Sequence, residues 1–168
     1  MSPPPTMLEE PRFILFVCTG NTCRSPMAKA LMDRQLRERD LCSLFRTGSA
    51  GICAVAGMPA SDLAVEVMGQ RGIDLSDHRA SRVDALEITP DTLIIAMTRR
   101  HADDLVSLFP EHAGSVYLLG GLAGGGGPVK EVPDPFGGSR RSYEEVARLL
   151  ETLTSGLADL LTTRKDRI

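Results

Sequence analysis

The chain has 168 residues and a formal net charge of −3 at pH 7, with its Lys and Arg residues scattered along the whole length. This length predicts a single domain with a buried core, and the lack of a basic stripe argues against a nucleic-acid partner. No stretch approaches the roughly 20 apolar residues that a membrane-spanning helix needs, so we expect no membrane association.

The first predicted segment is a flexible tail over residues 1–11, which begins Met-Ser-Pro-Pro-Pro and has no sustained apolar run. The first apolar run of the chain is short and lacks the charged lead-in and cleavage site of a secretory signal peptide. The four cysteines are too few and too irregularly spaced for a disulfide scaffold. We therefore expect reduced thiols, a cytoplasmic location and one folded domain over residues 12–165.

The most informative segment follows the first predicted strand. There the sequence reads Cys-Thr-Gly-Asn-Thr-Cys-Arg-Ser from Cys18 to Ser25, and we term this segment the phosphate loop. The five residues between Cys18 and Arg24 can wrap their backbone N–H groups around a tetrahedral oxyanion. Gly20 and Asn21 tolerate the left-handed backbone that so tight a loop demands. The segment therefore predicts a bound phosphate with the Cys18 sulfur at its floor.

A helix is predicted to begin at the end of the phosphate loop. Ser25 is a favourable N-cap, and Pro26 suits the first helical position. The partial positive charge of that helix N-terminus, together with Arg24, favours both a bound phosphate and a thiolate at Cys18. This combination predicts a phosphatase with a cysteine nucleophile. The alternative is a strand-to-helix turn that merely buries two cysteines.

Zinc binding is another possible use of these thiols. A structural zinc site usually needs two closely spaced pairs of Cys or His. Only Cys18 and Cys23 are close together, and the three histidines show no ligand spacing. We therefore expect no metal and no cofactor. The other two cysteines, Cys42 and Cys53, are expected to be small buried hydrophobic residues rather than functional thiols.

Strands and helices alternate along the chain. The apolar patterns predict strands over 12–17, 45–50, 92–97 and 115–119, and helices over 26–39, 60–70, 80–87, 99–108 and 142–163. Residues 142–145 have the form of a capping box for the last helix. The alternation predicts an α/β fold, a three-layer doubly wound sheet of four parallel strands flanked by helices. In such sheets the ligand crevice lies at the carboxyl ends of the strands, where the phosphate loop begins.

Two features follow the fourth predicted strand. The glycine-rich segment 120–128 lacks the Gly-Lys-Ser/Thr ending of a nucleotide-binding loop. It is predicted to be a flexible connector that lets the next segment move over the crevice. Asp134 then stands between two prolines, and Pro135 favours an extended conformation at Asp134. A carboxyl group held this rigidly suits a proton donor, whereas a lone aspartate in a loop is usually solvated or caps a turn.

With these motifs, the chain resembles the low-molecular-weight protein tyrosine phosphatases over nearly all of residues 12–163. The family's loop motif, Cys-x-Gly-Asn-x-Cys-Arg-Ser-Pro, is matched at every fixed position from Cys18 to Pro26. The resemblance implies a phosphotyrosine phosphatase I-like fold in which Cys18 is the nucleophile and forms a phosphocysteine intermediate. It implies that Asp134 is the general acid. The phosphate-binding residues that it implies are Thr19, Gly20, Asn21, Thr22, Cys23, Arg24 and Ser25.

The resemblance also implies a hydrogen-bonded network beneath the phosphate loop, in which Ser49 and His78 join Asn21 and Ser25. Without the family, His78 would be expected as a surface or helix-end histidine. Its place in the network is therefore implied by the resemblance alone.

Two positions resemble the bacterial protein-arginine phosphatase branch of the family. They are Thr22 in the loop and Phe136 after Asp134-Pro135, with Phe136 expected at the aromatic rim of the pocket. A hydroxyl on the pocket wall can orient a polar guanidinium group, whereas an aliphatic side chain packs against an aromatic ring. The resemblance therefore implies a phosphorylated protein as substrate and phosphoarginine as the group removed. The alternative is phosphotyrosine, with Thr22 a neutral replacement of similar volume.

Three further alternatives concern the thiols and the chemistry. Cys23 either fills the loop as a small residue or traps oxidised Cys18 in a reversible disulfide, which would make the enzyme redox-sensitive. A thioredoxin-coupled arsenate reductase shares the fold and loop but needs further redox cysteines, and residues 54–168 contain none. A non-catalytic phosphate-binding module is disfavoured by the joint presence of Cys18, Arg24 and Asp134.

Overall fold

The computed structural model describes residues 13–124 and 127–165, so the tail expected over residues 1–11 lies outside the described residues. Within the described ranges, four strands form one sheet, and every neighbouring pair is parallel. The strands are β1 (Phe13–Cys18), β2 (Arg46–Gly51), β3 (Thr92–Ala96) and β4 (Val116–Leu118). Their order across the sheet is β2-β1-β3-β4. The predicted parallel sheet is confirmed, with β1 at an interior position.

Helices cover both faces of the sheet. They are α1 (Arg24–Glu38), α2 (Asp62–Gly69), α3 (Arg99–Leu108), α4 (Leu119–Ala123) and α5 (Arg140–Lys165). Two short 3-10 helices, Val83–Ala85 and Pro110–Ser115, lie in the connections. This arrangement confirms the predicted three-layer α/β fold.

The side chains of β1 divide the interior into two cores. Ile14 and Phe16 pack with α1, α2 and α5 in the larger core, whereas Leu15 and Val17 pack with α3 in the smaller one. Successive side chains of a strand point to opposite faces of the sheet. All four are fully buried, because an interior parallel strand is covered on both faces.

The last helix, α5, begins earlier than its predicted start. The Ser142 N–H group donates to Ser139 Oγ at 3.3 Å, and the turn before it is closed by a Gly138 N–H bond to Pro135 O at 2.8 Å. The capping box predicted over 142–145 is therefore wrong. The tight turn at Pro135–Gly138 brings the chain into the helix early, so that Ser139 takes the capping position.

The helix predicted over 80–87 is also wrong, since only Val83–Ala85 is helical, as a 3-10 turn. The residues before it make extended contacts instead. The Gly51 N–H group donates to Ser81 O at 2.9 Å, and Ala80 N–H donates to Met58 O at 2.7 Å. These bonds hold the segment beside the end of β2, where its backbone groups have partners without forming a helix.

The glycine-rich segment is more ordered at its start than predicted. Residues up to Ala123 form α4 rather than a connector. A Cβ atom at Gly120 would lie only 1.8 Å from the Lys130 carbonyl oxygen, so glycine is needed for this close backbone approach. Positions 125 and 126 lie outside the described residues.

Across the described ranges, none of the helices combines the length and the apolar character that crossing a membrane requires.

Candidate active site

The phosphate loop leaves the sheet at the carboxyl end of β1. Two backbone hydrogen bonds hold it against the chain that follows β2. The Ile52 N–H group donates to Cys18 O at 3.0 Å, and the Cys53 N–H group donates to Thr19 O at 2.9 Å. The loop is therefore fixed from one side by the strand that neighbours β1.

Gly51 makes this close approach possible. It is the β2 partner of Cys18 in the sheet register. A Cβ atom at this position would lie 2.6 Å from Thr19 O and 2.9 Å from Asn21 N, so any other residue would push the phosphate loop away. The sequence analysis missed this residue, although a glycine at the end of a predicted strand is a recognisable signal of close backbone approach.

Helix α1 begins at Arg24, and no side chain caps it. The predicted N-cap role of Ser25 is therefore wrong. Its hydroxyl is used inside the site instead, where Ser25 Oγ lies 2.9 Å from Cys18 Sγ and accepts a hydrogen bond from Asn21 Nδ2 at 2.8 Å. Because Asn21 donates to the oxygen, the Ser25 proton can point at the sulfur. Ala50 O is the more distant acceptor, at 3.4 Å.

Asn21 organises the space beneath the loop. It adopts a left-handed backbone with φ of 56° and is fully buried. Its Oδ1 accepts from the Ser81 N–H group at 2.9 Å, which leaves Nδ2 to donate to both Ser25 and Ser49. The sequence-based expectation of a left-handed residue at this position agrees with the backbone.

His78 supports the same turn of the loop. Its Nε2–H group donates to Asn21 O at 2.7 Å. Burial, the largest influence, lowers the pKa of His78 below its usual value of 6.5, and the bond to Asn21 partly opposes that effect. The structure thus brings together Asn21, Ser25, Ser49 and His78, as the resemblance implied.

Arg24 and Asp134 lie close together on the wall of a cavity. The guanidinium group of Arg24 is 5% exposed and donates from Nη1 to Val132 O at 3.1 Å. Its Nη2 lies 3.6 Å from Asp134 Oδ2. The other carboxylate oxygen, Oδ1, accepts from the Phe136 N–H group at 3.1 Å. Because Val132 N–H also donates to Met97 O at 3.0 Å, the segment that carries Asp134 is anchored to the end of β3.

These groups line a cavity of about 300 Å³. Among its walls are every loop residue from Cys18 to Arg24 except Asn21, together with Asp134 and Phe136. Three wall residues were not predicted: Cys53, Val55 and Met58. Cys18 is only 3% exposed but lies on this cavity, so its sulfur has access to a ligand placed there. Phe136 is 72% exposed at the rim.

Cys23 belongs to a separate hydrogen-bonded triangle. Its sulfur lies 3.2 Å from Ser61 Oγ and 3.3 Å from Tyr143 Oη, and the two hydroxyl groups are 3.2 Å apart. Burial and the bond to Cys23 raise the pKa of Tyr143 to about 12, so the phenol stays protonated. The sequence analysis did not connect Tyr143 with Cys23, which lies 120 residues earlier.

The remaining cysteines are not where they were expected. Both Cys42 and Cys53 are exposed rather than buried, so the prediction that they fill the core is wrong. Cys53 lies on the cavity wall, and its N–H group donates to the Thr19 carbonyl oxygen.

His101 is the polar residue of the site that the sequence did not reveal. From the first turn of α3, its Nε2 lies 2.8 Å from Thr19 Oγ1. The pKa of His101 is lowered from 6.5 to about 4, chiefly by burial and then by the charge of Arg24. The imidazole is therefore neutral at physiological pH.

The site offers no cluster of metal ligands among the described residues. In the part of the chain that the structure describes, no group of three or more His, Cys, Asp or Glu side chains is arranged to hold a metal ion. The groups present on the cavity are the Cys18 sulfur, other residues of the phosphate loop with the Arg24 guanidinium, and the Asp134 carboxyl group. Such an arrangement can transfer a phosphoryl group to sulfur and protonate the group that leaves.

Comparisons with known proteins agree with this chemistry. A family model described as low molecular weight phosphotyrosine protein phosphatase matches residues 13–167. A protein-arginine-phosphatase of Geobacillus stearothermophilus is 39% identical, over 92% of this chain and 99% of that protein. Low molecular weight protein-tyrosine phosphatase A of Mycobacterium tuberculosis is 35% identical, over 95% and 98% of the two chains.

A solved structure gives the same result. A YwlE arginine phosphatase mutant with a phosphorylated active site serine superposes with a TM-score of 0.80 at 35% identity. The match covers 89% of this chain and 95% of that one.

Proposed function

The chain belongs to the low molecular weight phosphotyrosine protein phosphatase family, and on that basis we propose that it hydrolyses phosphoarginine residues in proteins through a phosphocysteine intermediate. The observation that carries the proposal is the Cys18 sulfur on the cavity, 2.9 Å from the Ser25 hydroxyl and enclosed by the phosphate loop. A phosphorylated protein is the proposed partner, and the cytoplasm is the proposed location.

In the first step, the Cys18 thiolate attacks phosphorus in line with the leaving group. The S–P bond forms as the P–N bond of phosphoarginine breaks, and the departing nitrogen takes a proton from the Asp134 carboxyl group. Backbone N–H groups of the loop and the Arg24 guanidinium hold the three equatorial oxygens as charge develops. The products of this step are arginine and phosphocysteine.

In the second step, the Asp134 carboxylate accepts a proton from water. The water oxygen bonds to phosphorus, the S–P bond breaks, and inorganic phosphate leaves. The thiolate of Cys18 that returns is stabilised by the O–H group of Ser25. Asn21 keeps that hydroxyl oriented, because its amide donates to the same oxygen.

One relative of known structure supports the covalent step. The YwlE mutant of the comparison carries phosphate on an active site serine. An active-site side chain of that relative has accepted phosphate. This supports the proposal that a covalent phosphoenzyme also forms in this chain. Cys18 is the side chain proposed to carry it here.

Thr22 is the proposed determinant of the substrate. Its side chain is half-buried on the cavity wall, with Oγ1 3.7 Å from Cys23 Sγ. A hydroxyl at this position can hydrogen-bond a guanidinium group. A site built in this way disfavours a substrate that lacks the hydrogen-bonding group. The second candidate is a tyrosine phosphatase, favoured by one observation: Val55, Met58 and Phe136 form an exposed apolar rim that suits an aromatic ring.

The experiment is a comparison of kcat/KM on phosphoarginine and phosphotyrosine peptides. The native protein should prefer phosphoarginine, and Thr22→Ile should shift the preference toward phosphotyrosine. Thr152→Ile is the matched control, because this exposed threonine lies on α5 and only bonds its own helix backbone. A native preference for phosphotyrosine that Thr22→Ile leaves unchanged would establish the second candidate instead.

Catalysis itself is tested with para-nitrophenyl phosphate. The native protein should turn over this substrate, and Cys18→Ser should abolish turnover while the protein still binds vanadate or phosphate. Binding without any turnover by the native protein would instead identify a non-catalytic phosphate-binding module.

Cys23 is proposed to trap oxidised Cys18 in a reversible disulfide. Peroxide converts the Cys18 thiolate to a sulfenic acid, and the Cys23 thiol then attacks that sulfur, releasing water and forming a disulfide. Cys23 lines the same cavity as Cys18, and its sulfur is contacted by the Ser61 and Tyr143 hydroxyls. Dithiothreitol should restore activity to native protein treated with peroxide. Equal recovery by Cys23→Ser would contradict this role, and Cys42→Ser serves as the control.

A further inference from the structure

The mechanism above leaves one buried polar group unused, the imidazole of His101. We propose that His101 is a positioning residue for phosphoryl transfer: its Nε2–H group holds the Thr19 hydroxyl so that the Thr19 proton points to a phosphoryl oxygen of the substrate. This inference rests on the proposed function, because it assigns one more hydrogen-bond donor to the same phosphate site.

The contact joins two distant parts of the chain, a buried histidine and an exposed threonine. His101 is 5% exposed, and its backbone N–H group is fixed by Thr98 Oγ1 at 3.2 Å, which caps α3. Its ring nitrogen Nε2 lies 2.8 Å from Thr19 Oγ1, although 82 residues separate the two in sequence. The ring is therefore held rigidly against the residue that follows the nucleophile.

The other ring nitrogen decides which group donates. His101 Nδ1 is buried and has no hydrogen-bond partner among the described residues. A proton on Nδ1 would be a buried donor without an acceptor. Buried donors without a partner are rarer in proteins than buried acceptors without one. A proton on Nε2 has an acceptor in Thr19 Oγ1. We therefore assign the proton to Nε2, so that the imidazole donates and Thr19 accepts.

The assignment leaves the proton of the Thr19 hydroxyl free. Within the described part of the chain, the hydroxyl makes no hydrogen bond other than the one to His101. Its side chain is exposed and lies on the wall of the cavity that Cys18 also lines. The proton is thus available to a ligand in the cavity, one residue along the chain from the attacking sulfur.

Burial, more than the surrounding charges, keeps His101 a neutral donor. Burial lowers its pKa most strongly, Arg24 and Arg100 add to that effect, Asp104 and Asp134 oppose it, and the net pKa is about 4. A second proton on the ring would sit on Nδ1, which has no partner among the described residues, and would be opposed by the charge of Arg24. The imidazole therefore carries no charge, and it orients the Thr19 hydroxyl by donating one hydrogen bond to it.

The test is a double-mutant cycle on His101 and Thr19, read as kcat/KM for para-nitrophenyl phosphate and as the inhibition constant of inorganic phosphate. A hydrogen bond to a charged group contributes enough that its loss should weaken phosphate binding roughly tenfold. Thr19→Val and His101→Leu should each cost about that factor. The double variant should cost no more than Thr19→Val alone, because the histidine acts through the hydroxyl.

Two conservative variants separate positioning from a merely structural role. Thr19→Ser keeps the hydroxyl, and His101→Gln keeps an N–H donor, so both should stay within about threefold of the native inhibition constant. Should His101→Leu not fold, His101→Asn replaces it, because its shorter amide lacks the reach to Thr19. His112→Leu is the control histidine, since it lies in the 3-10 helix Pro110–Ser115, outside the cavity.

Two results would overturn the proposal. One is a double variant that loses about a hundredfold, because the two residues then act independently. The other is a His101→Leu variant that melts at a lower temperature yet binds phosphate as the native protein does. Failure of the native protein to turn over any phosphorylated substrate is a distinct result, which refutes the proposed function itself.

Discussion

The Ser25 hydroxyl lies 2.9 Å from the Cys18 sulfur, and the Asn21 amide donates to the same hydroxyl oxygen at 2.8 Å. The three groups form a directed chain of donors that ends on the Cys18 sulfur. Because hydrogen bonds to a charged acceptor are stronger than neutral ones, the proposed role of Cys18 depends on the Ser25 hydroxyl. Ser25 is not the cap of α1, because the helix begins one residue earlier, at Arg24.

Ser25→Ala should therefore lower kcat about ten- to a hundredfold, which corresponds to the loss of one hydrogen bond to a charged group. Alkylation of Cys18 by iodoacetamide at pH 7 should slow by a similar factor. The measurement is steady-state kinetics beside timed alkylation followed by mass spectrometry. Ser155→Ala, on α5, is the control. An unchanged alkylation rate in Ser25→Ala would show that the hydroxyl does not stabilise the sulfur.

Asp134→Asn should remove the proton donor while keeping the shape of the loop. General acid catalysis contributes about 10²- to 10⁴-fold, so kcat on a phosphotyrosine or phosphoarginine peptide should fall by that range. The fall should be smaller for para-nitrophenyl phosphate, whose leaving group needs less help from an acid. Asp84→Asn is the control, because Asp84 is exposed and pairs with Arg82 away from the cavity. An equal fall on all substrates would contradict the acid role.

His101 should make stability depend on pH. Its pKa is about 4 in the folded protein and 6.5 when unperturbed. Above pH 6.5 the residue is neutral in both states and contributes no pH dependence. As the pH falls through 6.5, His101 becomes protonated in the unfolded chain but stays neutral in the folded protein. The free energy of unfolding therefore falls until about pH 4. The loss between pH 7 and pH 5 is about 2 kcal/mol.

Urea unfolding at pH 7 and pH 5 measures this loss. His101→Gln should lose correspondingly less stability than the native protein between the two pH values. His78, whose pKa is also lowered by burial, acts in the same direction and remains in both proteins. His112→Gln should behave as the native protein does. Equal losses in native protein and His101→Gln would show that the imidazole is as easily protonated in the fold as outside it.

Gly51→Ala should disturb the phosphate loop without removing any polar side chain of the site. The added Cβ atom would lie 2.6 Å from the Thr19 carbonyl oxygen, and such overpacking costs about 1–3 kcal/mol. The melting temperature should fall, and the inhibition constant of phosphate should rise at least several-fold. Both are measured on the same preparation.

Gly69→Ala is the matched control for Gly51→Ala. A Cβ atom at this position, at the end of α2, meets nothing within 4 Å. Alanine also favours helical backbone over glycine, so this variant should be as stable as the native protein or slightly more so. Comparable damage from both substitutions would show that the effect is not specific to the loop.

Much of the fold could be predicted because its signals are local. The apolar runs that became β1 and β3 are continuous, as buried parallel strands require, and α5 shows helical periodicity over its whole buried face. Its start was misplaced because Ser139 and Ser142 are both acceptable caps. Only the turn at Pro135–Gly138 distinguishes them, and that turn depends on how the Asp134 segment is anchored.

The order of residues along the chain was enough to indicate the parallel sheet and the phosphate loop, since a loop of consecutive N–H groups closes on an anion through local backbone geometry. Folding alone decided which distant groups meet that loop: Thr19 with His101, Cys23 with Tyr143, and the loop backbone with Gly51. Such pairs depend on strand register and on the packing of helices against the sheet. The periodicity of one segment predicts neither the strand register nor the helix packing, because each depends on two segments together.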